Sequence, residues 1–477
     1  LSSGVSTDEM RAHVVVGDVA DPLSLVTRLA GSGLFTDYVV YERPGRWTFA
    51  GGVAGEVILE PGVVRSRWAD GPAEEETWSG RPSAALEAAL RSAPWPAWNA
   101  YGWIAFEFAA HVPAGRLAHL VVPRTEVRIE EGRAVVTSAD PGEAERVAAL
   151  LSEPVAPQVP PSAVSPVAPP AMSPVASSPE VAVGVEVAAA LSPSAAPAPS
   201  LAPSPVDVRP GGDDYRARVA RAVAEIGAGL YQKVIVSRRL PVPFPVDVVA
   251  TYACGRAANT PARSFLLDLD GFRSAGFSPE VLVSVDEAGT VTTQPLAGTR
   301  AFGRGESVDS LTRRELEGDP KEIFEHAVSV RASQEELYRV CAPDTVRVTG
   351  FMTVKERGSV QHLGSSVSGE LAPGRTGWDA LDALFPGVTA SGIPKPEAID
   401  AIARLEEPRG LYAGAVLSVS RDGAMDAALV LRAIYSENGR AWLRAGAGIV
   451  SGSTPEREYE ETCEKLSSIA PYVVPSA

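Results

Sequence analysis

The chain is short of the residues from which disulfide and soft-metal chemistry is built. Its 477 residues include three cysteines and five histidines. Cys254, Cys341 and Cys463 are odd in number, widely spaced and form no CxxC, so neither a disulfide framework nor a zinc knuckle is expected. Positive charge is also in deficit. The 43 Lys and Arg face 59 Asp and Glu, for a net charge of −16, which argues against a nucleic-acid surface. No run of about 18 apolar residues occurs, so no membrane span is expected. Residues 1–10 show no basic stretch ahead of an apolar core, and no signal peptide is expected. Unpaired thiols suggest a reducing, cytoplasmic setting.

Proline is plentiful, but unevenly placed. Between Leu151 and Pro210 the chain holds 15 of its 41 prolines, with Ala, Ser and Val filling most of the rest. Glu180 and Glu186 are the sole charges between Glu153 and Asp207. Such composition supports neither helix nor central strand. The segment 151–210 is therefore expected to be an extended, disordered linker between an N-terminal part, 1–150, and a C-terminal region, 211–477. A tolerated surface insertion is its commoner meaning, and a docking tether is the alternative.

Outside the linker, short strand-like runs predominate. They include Ala12–Val16, Tyr38–Tyr41, Tyr101–Phe108, Lys233–Arg238, Ser264–Leu269, Val281–Val285, Ala427–Tyr435 and Ala441–Ala447. Helical spacing fits Pro82–Leu90, Asp213–Ala228, Lys321–Val340, Trp378–Leu384, Pro396–Arg404 and Glu456–Ile469. Strands in runs with helices grouped between them indicate one large α/β (α+β) body.

Two helical segments repeat one pattern. Glu322 and Glu325 are three apart, as are Glu458 and Glu461, so each pair shares a helical face. Four glutamates on two helices suit a hard cation such as Mg²⁺, which takes oxygen ligands. Either pair alone more often marks a solvated helix face. Lys233 begins an otherwise apolar strand. Pointed into a cleft it could act as a general base, whereas a strand-end lysine commonly snorkels to solvent. Small-residue stretches at Gly276–Glu280, Pro295–Arg300, Thr389–Lys395 and Ala445–Gly448 read as turns that permit close backbone approach to a ligand. Arg432 and Arg444 are candidate bidentate partners for an anion.

Taken together these segments resemble the chorismate-utilising enzymes, a group that includes anthranilate synthase component I, aminodeoxychorismate synthase, isochorismate synthase and salicylate synthase. Tyr231-Gln-Lys-Val-Ile-Val-Ser-Arg238, Pro295-Leu-Ala-Gly-Thr-Arg-Ala301, Phe351–Ser365 and Glu460-Glu-Thr-Cys-Glu-Lys-Leu466 are most similar to the mycobactin-type salicylate synthases. The resemblance is strong over about 210–475 and looser over 10–150; the Pro/Ala segment departs from it.

The resemblance implies a single body with two stacked sheets flanked by helices, chorismate as substrate and Mg²⁺ as cofactor. It implies Lys233 as general base and Glu280 as general acid. It implies Glu325 and Glu461 as metal ligands, with Glu322 and Glu458 closing the shell. Tyr412, Arg432 and Gly446 would bind the pyruvyl carboxylate. Thr299, His362 and Thr389 would floor the pocket, with Ala297, Gly298 and Lys465 completing the substrate contacts. Lys at 233, where ammonia-using relatives carry Gln, points to water as nucleophile and to no obligatory glutamine amidotransferase. The activity implied is chorismate to salicylate and pyruvate through isochorismate, by a monomer. An isochorismate synthase that stops after the first step is the alternative, and an aminating synthase is less favoured.

Overall fold

The computed structural model describes residues 12–17, 19–109, 115–153 and 202–476. Three helices open on an Asp-Pro pair. Asp21, Asp140 and Asp319 each accept a backbone N–H of the first turn, and the following proline sits where an N–H would go unpaired. These caps start Pro22–Gly31, Pro141–Ser152 and Pro320–Leu337.

Among the described residues, the paired strands join one 21-stranded ladder rather than two separate sheets. Two long strands make the join. Arg46–Glu60 and Ala118–Glu130 pair with each other along their length. The first half of Arg46–Glu60 also pairs with Tyr38–Arg43, and its second half with Val63–Trp68. A register shift between Val53 and Gly55 lies between the halves, as expected where a strand changes layer.

From this join one arm runs through Arg263–Leu269, Phe272–Ser278, Ala433–Glu437 and Arg440–Ile449 to Lys233–Val242. The other runs through Asn99–Ile104, Ala415–Ser420, Met425–Leu429, Val281–Val285 and Thr290–Thr293 to Val360–Glu370. That last strand also carries Leu296–Ala301 and Arg347–Arg357. The arms face each other across one core, which mixes Val234, Val236, Phe265 and Leu267 of the first with Tyr101, Trp103, Val416 and Leu417 of the second. A second core covers the outer face of the first arm with Leu25, Val26, Leu29 and Tyr252. The stacked layers flanked by helices are thus present, as one continuous sheet folded on itself.

Several local expectations change. The run 427–435 is two strands, Met425–Leu429 and Ala433–Glu437, separated by a break at which Arg432 adopts φ 54°. All four presumed turns carry strand: Gly276–Ser278 ends Phe272–Ser278, Leu296–Ala301 is a strand, Gly392–Ile393 inside Thr389–Lys395 pairs with Lys233–Val242, and Ala445–Gly448 lies inside Arg440–Ile449. Small residues there serve close packing rather than chain reversal. Most of the Pro/Ala segment, 154–201, lies outside the described residues. Its described end is held to the body, where the Ser204 N–H donates to Val473 O at 2.8 Å and Val206 is buried.

Candidate active site

The two Glu-x-x-Glu helices, Pro320–Leu337 and Pro455–Leu466, present their pairs inward. All four carboxylates are buried, with Glu458 at 0% and Glu325, the most open, at 8% exposure. The solvated-face reading is therefore excluded. Each carboxylate meets a cation of the protein. Glu325 Oε1 lies 3.0 Å from Lys233 Nζ, Glu322 Oε1 2.9 Å from Arg300 Nη1, Glu458 Oε1 3.0 Å from Lys321 Nζ, and Glu461 Oε1 2.7 Å from Lys465 Nζ. Among the described residues no three acidic, His or Cys side chains converge as a ready metal centre. Their charges nevertheless act on one another. Burial and then the Glu461 charge push Glu458 up to about 7, and the same two causes raise Glu322. Glu461 stays ionised: burial opposes it, but Lys465 and Lys321 outweigh burial and hold it down at about 2. Among the described residues, Glu458 Oε2 is buried without a hydrogen-bond partner.

Beside these helices lies a partly open cavity. Glu280, Ala297, Gly298, Thr299, Glu325, His362, Thr389, Tyr412, Arg432, Gly446, Glu461 and Lys465 line it. Lys233, Glu322 and Glu458 stand outside that lining. Lys233 is 1% exposed, and its ammonium also donates to Ser329 Oγ at 3.0 Å. It does not snorkel.

Two strand glycines let these groups approach. A Cβ at Gly448 would fall 2.3 Å from Glu325 Oε1, and one at Gly446 would fall 2.9 Å from the Tyr412 hydroxyl and 2.8 Å from Val236 O. Larger side chains at either position would close the cavity from its own wall.

Glu280 is an acid in a strongly perturbed setting. Thr389 Oγ1 donates to its Oε1 at 2.6 Å, and the Leu296 N–H to its Oε2 at 3.3 Å. Burial pushes its carboxyl up to about 8 against those hydrogen bonds and the Lys233 and Lys465 charges. Near neutral pH it holds its proton.

Opposite in character is Arg432, buried on a left-handed backbone. Among the described residues it has no carboxylate partner; its Nη2 lies 3.2 Å from His362 Nε2. A guanidinium can only donate, so His362 accepts at Nε2 and carries its proton on Nδ1, 3.1 Å from Gly298 O. Burial and the Arg432 and Lys465 charges keep that imidazole neutral, well below its ordinary value. Burial also brings Arg432 itself down to about 10. A buried cation with a neutral neighbour is poised for an anion.

Arg444 does not share this role. Its donors go to Ser237 Oγ, Pro408 O, Glu407 O and Glu406 Oε2. Although it touches the cavity wall, its guanidinium is already satisfied, which corrects the expectation that it binds an anion. Glu406, unremarked in the sequence, joins Arg444 to Arg409, and both guanidiniums lie 5.6 Å from the centre of the Tyr412 ring. Lys321, Arg300 and Ser329 were likewise missed. Lys321 is adjacent to Glu322, but a Lys-Glu step on a helix ordinarily signals surface.

Residues 38–471 match the chorismate binding enzyme family. The salicylate synthase of Mycolicibacterium paratuberculosis is 44% identical over 472 residues, covering 97% of this chain and 94% of that protein. Anthranilate synthase component 1 of Streptomyces coelicolor is 43% identical over 253 residues, 53% of this chain and 49% of that protein, so the match spans about half of that relative. Among solved structures, anthranilate synthase component I from Streptococcus pneumoniae superposes with a TM-score of 0.69 at 24% identity, over 96% of this chain and 99% of that one. The menaquinone-specific isochorismate synthase from Escherichia coli superposes at 0.67 and 21% identity, over 97% and 94%. Fold, sequence and the inward-facing site agree: this chain belongs to the chorismate binding enzyme family.

Proposed function

We propose that the chain is a Mg²⁺-dependent salicylate synthase that converts chorismate to salicylate and pyruvate through isochorismate. The observation that carries this reading is one cavity holding both a carboxyl protonated near neutrality, Glu280, and a buried guanidinium awaiting an anion, Arg432. Chorismate is a dicarboxylate with a hydroxyl that must leave, and it asks for those two groups. Similarity to a salicylate synthase over nearly the full length of both chains supports salicylate, rather than isochorismate, as the product.

The carboxylate cluster fits a hard cation. Its donors are all oxygens, Glu458 Oε2 is orphaned, and the crowding that raises Glu458 and Glu322 is what a divalent charge relieves. Glu325 and Glu461 would hold it, with Glu322 and Glu458 behind them. When bound, Mg²⁺ would neutralise the ring carboxylate.

The remaining roles fall to the protein's own groups. Arg432, Tyr412 and the Gly446 backbone take the pyruvyl carboxylate. Thr299, His362, Thr389, Ala297, Gly298 and Lys465 shape the rest of the pocket. Water attacks C2 and gives its proton to the neutral amine of Lys233, a form reached only after the ammonium that pairs with Glu325 in the resting site has given one proton to solvent. Both ring double bonds shift, and the C4 hydroxyl departs as water with the proton of Glu280. In the second step the C2 hydrogen moves to the enolpyruvyl methylene as the C3–O bond breaks and the ring becomes aromatic. That step needs the arm held over the ring rather than a new acid or base. We place the enzyme in the cytoplasm, acting as a monomer without an amidotransferase.

Incubation with chorismate and Mg²⁺, without ammonia, tests the reading. Salicylate fluorescence should rise in step with pyruvate. Isochorismate accumulating without pyruvate would overturn it in favour of an isochorismate synthase.

A further inference from the structure

Four cations face the four glutamates, and one of them differs from the rest. Lys233 also donates to Ser329 Oγ, Arg300 also to Asp319 Oδ2 and Thr299 O, and Lys465 also to Gly446 O. Each of these three is tied into the fold by a group outside the cluster. Lys321 is not. Its ammonium lies 3.0 Å from Glu458 Oε1 and 3.9 Å from Glu322 Oε1, and among the described residues it has no further polar partner.

Its place on the helix sharpens the contrast. Lys321 sits in the first turn of Pro320–Leu337, just behind the Asp319 cap. A cation there opposes the helix dipole, which favours negative charge at that end. Helix stability therefore does not explain it; the carboxylates do. The ammonium is within electrostatic reach of Glu461, Glu458, Glu325 and Glu322 alike. Its side chain keeps 23% exposure while Glu458 beneath it has 1%, so it forms the solvent-side edge of the cluster. It can swing outward without stranding any group except the carboxylates that a divalent cation would satisfy.

We propose that Lys321 is a built-in counter-cation that competes with the divalent cation for the glutamate cluster and leaves it when that cation binds. This rests on the divalent-cation reading above. Lys321 thereby sets the concentration at which the enzyme takes up its metal. It also keeps four buried carboxylates from repelling one another when the metal is scarce.

The test is Mn²⁺ binding to the full chain, without chorismate, by calorimetry and by the paramagnetic signal of the bound ion. Lys321→Gln should bind Mn²⁺ at least tenfold more tightly than the wild type, and its melting temperature should rise more steeply with Mn²⁺. Lys321→Arg, which keeps the charge, should bind close to the wild-type value. If Lys321→Gln folds only with Mn²⁺ and unfolds on chelation, the same competition is shown in stronger form. Unchanged or weaker binding by Lys321→Gln, with normal wild-type binding, would overturn the role of Lys321 alone. A wild type that binds no Mn²⁺ at millimolar concentration would overturn the divalent-cation reading with it.

Discussion

Replacing Glu280 by glutamine separates its two properties, the proton it donates and the burial that keeps that proton in place. Glutamine matches the carboxyl in size. Its amide oxygen can accept the Leu296 N–H, and its NH₂ can donate to Thr389 Oγ1, so the packing should survive. In the folded chain the Glu280 carboxyl titrates at about 8, against an ordinary 4.5. Between those values the native state holds a proton that the unfolded chain has lost. Native stability therefore falls as pH rises, by about 1.4 kcal/mol per pH unit, and glutamine carries no such penalty. From about pH 5 to about pH 7.5 the stability of Glu280→Gln should gain about 3 kcal/mol on the wild type. Urea unfolding of both proteins at the two pH values measures this directly. Turnover of chorismate should fall by about 10²–10⁴-fold in the same variant. A stability difference that stays constant with pH would refute the protonated state, and with it the assignment of Glu280 as the acid.

Three further outcomes follow from the same geometry. Lys233→Gln should abolish the addition of water, by about 10²-fold or more, with the fold intact by circular dichroism; undiminished salicylate formation would contradict the base. Arg432→Met removes a buried cation that has no carboxylate partner among the described residues, so thermal unfolding should shift upward while KM for chorismate rises about 10–100-fold, the loss of a charge-assisted contact. Glu406→Gln strips Arg409 and Arg444 of the carboxylate that joins them and should cost about 3–5 kcal/mol in urea unfolding. In the wild type that stability is present above about pH 4.5 and is lost as pH falls towards 2, because Glu406 is held down at about 2, its two arginines outweighing burial.

Much of the site was legible because local rules place it. Three-residue spacing put Glu322 with Glu325, and Glu458 with Glu461, on common faces. What the spacing could not say was which face turned inward, since burial is decided by partners far along the chain. Lys321, Arg300 and Lys233 supply those partners. The role of Arg444 failed for the same reason, because Glu406 satisfies it from 38 residues away. Small-residue stretches were read as turns because Gly and Ala punctuate loops. Ala445–Gly448 is instead a strand whose glycines make room for Tyr412 and Glu325. The joining of two layers into one sheet had no local signature, for it depends on two long strands whose paired residues lie 59 to 84 positions apart in sequence.

The central claim is that water, activated beside Lys233, adds at C2 and that the oxygen it brings stays on the aromatic product. Turnover of chorismate in H₂¹⁸O with Mg²⁺ tests it most directly by mass spectrometry. The account predicts salicylate carrying one solvent oxygen, in its phenolic hydroxyl, formed together with an equal amount of pyruvate. Salicylate without the label, or labelled isochorismate accumulating with no pyruvate, would contradict it.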